Sequence, residues 1–263
     1  MSCPFCLIIA AHLRDNMTID QLGVIILAAG KGKRMQSNLA KVLHPLAGRP
    51  LITYVLDTAA KVAGSNIVVV IGNQAEQVRE QVSHHAETLF AYQESQMGTG
   101  HAVHCAMPVL ERRIESVLIL CGDVPLIREE TLETLVKTHQ KAGHTLTLLG
   151  VNMENPSGYG RIITDGDGRV KRIVEEADAT AAEKQVPTIN SGVYCVRRDF
   201  LETALPGLNS DNAQNEIYLT DIIGVAAQAG EPVGMMLAKD ATELLGINTP
   251  EDLNRLEALL SVS

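Results

Sequence analysis

The chain has 263 residues, 46% of them hydrophobic and 20% charged, enough for a large core in one α/β domain or at most two. A formal net charge of -9, with acidic residues spread along the chain, argues against nucleic acid or an anionic membrane as a partner, and no apolar run approaches the ~20 residues that cross a bilayer. Five cysteines leave an odd one out and form no disulfide framework, which indicates a reducing, cytoplasmic setting.

Residues 1–16 lack the charged n-region of a signal peptide and are expected to be a disordered extension. They contain Cys3-Pro-Phe-Cys6, a C-x-x-C with no second pair to complete a zinc site, and Met17 sits just ahead of the first strand. Leu22 to Leu27 is a continuous apolar run, the pattern of a buried strand in a parallel sheet. It opens into Ala28-Ala29-Gly30-Lys31-Gly32-Lys33-Arg34-Met35, followed by Lys41. Glycines let backbone N–H groups approach an anion, and four cations within eleven positions suit a polyphosphate. Neither G-x-x-x-x-G-K-[ST] nor G-x-G-x-x-G is present, so from these residues alone a solvated lysine-rich turn is the competing reading.

Pro50 then opens an amphipathic helix with Leu51, Ile52, Val55, Leu56, Ala59, Val62 and Ala63 on one face, ended by Gly64. Strands are expected at 66–71, 88–92, 117–121 and 145–151, with helices at 74–83, 99–110 and 129–141 between them. The strict alternation over 22–151 predicts an α/β fold with a doubly wound, Rossmann-like, mostly parallel sheet. Right-handed crossovers then bring the glycine loop and Asp123 to the carboxyl ends of strands, the edge where such sheets bind ligands. Beyond residue 151 the pattern changes to a hairpin around Asp165-Gly166-Asp167-Gly168, a strand at 188–196, helices at 199–205 and 216–229, a strand at 232–238 and a closing helix at 250–260. With no linker or repeat in view, 17–263 reads as a single domain.

Asp123 follows a buried strand and Gly122, so its carboxylate should project into the crevice as a hard-cation ligand, or else serve as a turn residue before Pro125. Gln93-Glu94-Ser95-Gln96-Met97-Gly98-Thr99-Gly100 is a polar loop whose glutamine amide could match the edge of a pyrimidine; the plainer reading is a loop with Thr99 as a helix cap. The seven histidines from His44 onward show no metal-binding spacing, and no Ser-His-Asp or Cys-His arrangement is evident.

The string Leu-Ala-Ala-Gly-x-Gly-x-Arg-Met with its following lysine resembles the signature loop of nucleotide-diphospho-sugar pyrophosphorylases, and most of all the N-acetylglucosamine-1-phosphate uridylyltransferases. The resemblance runs across residues 22–260 and implies a GT-A-like nucleotide-diphospho-sugar transferase fold. It implies UTP and N-acetylglucosamine 1-phosphate as substrates, with pyrophosphate released and Mg²⁺ as cofactor. By the same match Arg34, Lys41 and Asp123 are catalytic, and Asp123 and Asn248 hold the metal. Leu27, Ala28, Ala29, Gly30, Gln93, Gly98 and Thr99 bind the nucleotide, while Gly160, Glu175 and Asn190 bind the sugar. The left-handed β-helix domain that usually follows in bacterial members has no counterpart after residue 250. Three positions depart from the family pattern: Ala40 stands where proline is common, which implies a less rigid loop, Cys121 stands where an aromatic is common, and Ser191 replaces a threonine, a mild change. A pyrophosphorylase for another sugar 1-phosphate or nucleotide, and a non-catalytic nucleotide-sugar-binding regulatory subunit, are the alternatives. Oligomeric state is not legible.

Overall fold

A computed structural model describes residues 19–262; the expectations for residues 1–16, Cys3, Cys6 and Met17 lie outside the described residues. The first strand, β1 (Leu22–Leu27), has five of its six residues buried because the sheet is covered on both faces. Val24 and Ile26 pack to one side and Ile25 to the other. A small hairpin, β2 (Pro45–Leu46) and β3 (Arg49–Pro50), leads into α1 (Leu51–Ala63), whose apolar stripe is the expected one and whose end is Gly64 at φ 61°. Then follow β4 (Ile67–Ile71), α2 (Ala75–His85), β5 (Leu89–Tyr92), α3 (Thr99–Ala106), β6 (Ser116–Cys121), α4 (Glu129–Ala142) and β7 (Leu146–Asn152). The second half supplies the hairpin β8 (Arg161–Thr164) and β9 (Val170–Val174), then β10 (Thr188–Arg197), α5 (Arg198–Ala204), α6 (Asp221–Gln228), β11 (Val233–Leu237) and α7 (Pro250–Val262).

The strand order is β11-β7-β10-β6-β1-β4-β5, with the β8–β9 hairpin attached through β10. Neighbours are parallel except that β10 runs antiparallel to both β6 and β7. This is the expected mixed, mostly parallel, doubly wound sheet. One core lies under α1, α2 and α4, the other under α3, α5 and α6. Because β10 is reversed, its beginning and not its end meets the carboxyl edge of the parallel strands, which puts Asn190 on the same edge as Asp123. Among the described residues, no helix is long and apolar enough to cross a membrane.

Two helices are shorter than their periodicity predicts. The helix expected over 99–110 ends at Ala106, since Pro108 has no N–H to extend the ladder. The helix expected over 216–229 starts only at Asp221. Residues 217–219 are drawn instead into the 97–100 loop: Ile217 N–H donates to the Met97 carbonyl at 2.6 Å, Gly100 N–H to the Ile217 carbonyl at 2.8 Å, and Leu219 N–H to Thr99 Oγ1 at 2.9 Å. Thr99 therefore serves a distant strand of chain and does not cap its own helix.

At the opposite edge, His139 of α4 is 2% exposed, with Nδ1 3.0 Å from Thr147 Oγ1 of β7, and His144 Nδ1 reaches the same hydroxyl at 3.1 Å. Burial, aided by His144 and Arg197, pushes His139 down from 6.5 to about 4. Between those values the unfolded chain binds a proton that the folded protein refuses. Stability from this residue is complete above pH 6.5 and is lost as pH falls towards 4, at up to about 1.4 kcal/mol per pH unit. His139→Gln is expected to flatten the slope of unfolding free energy in that window, measured by urea unfolding at a series of pH values; identical slopes in parent and variant would contradict it.

Candidate active site

β1 and β6 lie in parallel register with Leu27 beside Cys121, so the loop from Ala28 and the Gly122-Asp123 turn emerge side by side. Gly122 N–H donates to the Leu27 carbonyl at 3.0 Å, and Ala28 N–H to the Val70 carbonyl at 2.9 Å, which extends the sheet into the base of the loop. The loop then makes a 3₁₀ turn at Lys33–Met35 and a second at Lys41–Leu43. Met35 is buried in a small third cluster with Leu46, Leu51, Ile247 and Leu256. Arg34 precedes Met35 and Asn248 follows Ile247, so two apolar anchors in one cluster carry their polar neighbours together. Arg34 Nη2 donates to Asn248 Oδ1 at 2.9 Å.

Asp123 is tied to the same segment, since Ile247 N–H donates to its carbonyl at 2.9 Å. The N-terminus of α7 fixes Asn248 from the other side. Asn248 and Thr249 N–H both donate to Asp252 Oδ2 at 2.9 Å, and Asp252 N–H donates to Thr249 Oγ1 at 3.2 Å, a reciprocal cap. Lys41 closes the group: Nζ donates to Asp123 Oδ2 at 2.5 Å and to Asn248 Oδ1 at 3.2 Å. Gly32 forms one wall of the lysine stem. Its φ is 57°, and a Cβ there would lie 2.7 Å from Lys41 Cβ, so a side chain would displace the lysine. Arg34, Lys41, Asp123 and Asn248 thus converge, with Arg34 exposed as Lys31 and Lys33 are.

The second group is the loop after β5. Gln93 is 3% exposed, and its carboxamide is turned into the loop instead of out of it. Nε2 donates to the Gly98 carbonyl at 2.8 Å and lies 3.2 Å from His101 Nδ1. The donor half of the expected pyrimidine-reading pair is therefore engaged in shaping the loop. Gly98 is at φ 113°, and a Cβ there would lie 2.5 Å from the Ile217 carbonyl oxygen. Only glycine permits that close approach.

Strand register assembles the third group. Arg161 pairs with Val174 on one side and Ile189 on the other, so Gly160, Glu175 and Asn190 each lie one residue beyond a common row. Asn190 N–H donates to the Gly160 carbonyl at 2.9 Å. Asn190 Nδ2 donates to Tyr194 Oη at 2.7 Å and its Oδ1 accepts from Gly192 N–H at 3.1 Å. Glu175 Oε1 accepts from Thr220 Oγ1 at 3.0 Å. Burial, with Asp221, Asp178 and Glu216 nearby, raises the Glu175 carboxyl above its ordinary value despite that hydrogen bond. Tyr194 and Thr220 were not singled out from the sequence. Tyr194 lies four residues after Asn190 in β10, across an irregularity at Gly192 that sequence alternation does not reveal; Thr220 carries no sequence signal either.

Cys121 sits between the groups. Its thiol donates to the Gly192 carbonyl at 3.6 Å. Burial first, then the Asp123 carboxylate, push it up to about 12, and it is an inert packing residue. Two cationic side chains, one carboxylate and one amide oxygen meeting at a point beside a glycine turn can hold phosphates together with a counter-ion.

The nucleotidyl transferase family model matches residues 23–262. The bifunctional protein GlmU of Geotalea uraniireducens (strain Rf4) is 49% identical over 242 residues, covering 92% of this chain and 53% of that protein. That of Geobacter sulfurreducens is 50% identical over 230 residues, covering 88% and 48%. The chain thus spans about half the length of these curated relatives. Among solved structures, the inositol-1-phosphate CTP transferase of T. maritima superposes with a TM-score of 0.70 at 18% identity, covering 94% of this chain and 97% of that one. HddC from Yersinia pseudotuberculosis, complexed with GMP-PN, gives 0.68 at 19% identity, covering 90% and 99%. These two share the fold.

Gly98→Ala is expected to break the Gly100–Ile217 and Ile217–Met97 hydrogen bonds and cost about 1–3 kcal/mol. Thermal melting would read the loss, and amide exchange at Gly100 and Ile217 would accelerate; unchanged protection at both amides would contradict the packing described.

Proposed function

The chain belongs to the nucleotidyl transferase family, and from that premise we propose that it forms UDP-N-acetylglucosamine and pyrophosphate from UTP and N-acetylglucosamine 1-phosphate. The observation that carries this reading is the convergence of Arg34, Lys41, Asp123 and Asn248 at one strand edge, with Gly160, Glu175 and Asn190 gathered along the same edge as a separate polar group. The first set suits the reacting phosphates. The second offers a carboxylate and an amide to sugar hydroxyls and an N-acetyl group. The backbone from Leu27 to Gly30 and the loop of Gln93, Gly98 and Thr99 form the nucleoside side, with Gln93 holding the loop in shape.

Mg²⁺ fits the donor set. A charged oxygen of Asp123 and a neutral oxygen of Asn248 already meet at one cationic atom, Lys41 Nζ. These two residues would hold the ion, which when bound would supply a doubly charged counter-ion to phosphate oxygens. The displacement itself asks little else of the protein than alignment and charge. A phosphate oxygen of the sugar phosphate forms a bond to the α-phosphorus of UTP, and the bond from that phosphorus to the bridging oxygen breaks, releasing pyrophosphate. No general base is required, because a phosphate monoester with a second pKa near ~6 is mostly dianionic at pH 7. Arg34 grips phosphate oxygens with its planar fork and Lys41 acts as a point charge. Asp123 and Asn248 orient both cations through the contacts described above.

A pyrophosphate-release assay across a panel of nucleotides and sugar 1-phosphates tests the reading, and preference for any other pair would replace it. Lys41→Ala is expected to lower kcat on the order of 10²–10³ while the protein stays folded by circular dichroism. A chelator is expected to abolish activity and added Mg²⁺ to restore it. Glu175→Ala and Asn190→Ala are each expected to raise KM for N-acetylglucosamine 1-phosphate far more than for UTP. Equal effects on the two substrates would move these residues out of the sugar site.

A further inference from the structure

Lys41 follows Ala40, and Ala40 is held by a side chain from a distant element. Its N–H donates to Gln74 Oε1 at 2.7 Å, and Gln74 Nε2 donates to the Asn38 carbonyl. One carboxamide thus closes on the chain from both sides of Leu39, immediately ahead of the lysine. Ala40 is 1% exposed, so its half of the grip is sheltered from competing water, whereas the half on Asn38 lies at the surface. Gln74 itself sits at φ 52° and ψ 42°, a left-handed conformation that is costly for a residue with a Cβ. Beside it, Asn73 N–H donates to the Ala29 carbonyl at 3.0 Å. Two consecutive residues immediately ahead of α2 therefore tie down both ends of the 28–41 loop, the glycine end through Asn73 and the lysine end through Gln74.

We infer that Gln74 is a positioning residue for Lys41: its carboxamide clamps Asn38 and Ala40 so that the lysine ammonium is delivered to Asp123 and Asn248. The inference rests on the role proposed above for Lys41. The clamp fixes the backbone and not the side chain, so a different device that stiffens Ala40 can replace it. Ala40 has φ -54° and ψ 136°, within the range that a proline ring enforces. Proline at 40 would remove the N–H that Gln74 holds and lock the same φ covalently.

The test is a cycle of Gln74→Ala, Ala40→Pro and the double variant, assayed for kcat and both KM values and melted in parallel, with Lys41→Ala alongside. Gln74→Ala is expected to lower kcat by about tenfold to 10²-fold, the scale of a misplacement near 1 Å, with KM for the sugar phosphate little changed. Ala40→Pro in the Gln74→Ala background is expected to recover most of that loss. Gln74→Glu, which can accept from Ala40 but cannot donate to Asn38, is expected to fall between. Gln74→Ala with parental kcat beside an inactive Lys41→Ala would overturn this inference alone. A loss of kcat that merely follows a fall in melting temperature and is not restored by Ala40→Pro would also overturn it. Lys41→Ala at parental turnover would instead overturn the reading on which it rests.

Discussion

The contact on which the candidate site depends is that between the Lys41 ammonium and the Asp123 carboxylate, two residues 82 apart in sequence and 2.5 Å apart in space. Both side chains are largely withdrawn from water, at 20% and 14% exposure. Burying either alone would cost several kcal/mol, so each conditions the presence of the other. Asn248 shares the lysine and receives Arg34 on the same oxygen. One carboxylate and a neutral amide oxygen facing two cations leave the group with an excess of positive charge, which it presents to an incoming polyphosphate.

What brings these four residues together is apolar. Leu27 and Cys121 are neighbours in the parallel register, and the sheet delivers Asp123 beside the glycine loop. Met35 and Ile247 share a small cluster outside the two main cores, and their polar neighbours Arg34 and Asn248 meet as a consequence. The hydrophobic effect is non-directional, but a side chain adjacent in sequence to a buried anchor has little freedom left. Hydrogen bonds then refine the position: Ile247 N–H on the Asp123 carbonyl, the Asp252 cap under Asn248, and the Gln74 clamp ahead of Lys41.

The polar group proposed for the sugar is built differently. It depends on the reversed strand β10 and on the hairpin β8–β9 joined to it, so that one row of backbone pairing sets Gly160, Glu175 and Asn190 together. Its partners come from elsewhere: Tyr194 from further along β10 and Thr220 from the segment that the Gly98 loop holds out of α6. The Gly98 loop and the Glu175 group therefore share one piece of chain, residues 217–220.

The sequence by itself determined the element order, the class of sheet and the edge to which the glycine loop and Asp123 come. Each follows from local signals: continuous Val and Ile runs, the α1 stripe, Gly64 as a helix end and the Asp-Gly hairpin. From local signals the loop around Arg34 and Lys41 suits a polyphosphate but equally a solvated turn, and Asp123 a ligand or a turn residue; it is the family resemblance that singles out these three residues. Three things were decided only by the tertiary structure. The periodicity of 216–229 is helical, but long-range hydrogen bonds from Met97, Thr99 and Gly100 outweigh one turn of helix and pull residues 217–219 away. Gln93 has the chemistry to read a base edge, yet burial and the Gly98 carbonyl turn its amide inward. Against the family pattern Ala40 implies a looser loop, but Gln74 supplies the missing restraint from another element. In the first and third cases the partner is remote in sequence; for Gln93 the partner Gly98 is near, but the loop shape that presents its carbonyl is set by the distant Ile217. Local pattern carries no information about which remote group the packing will bring within 3 Å.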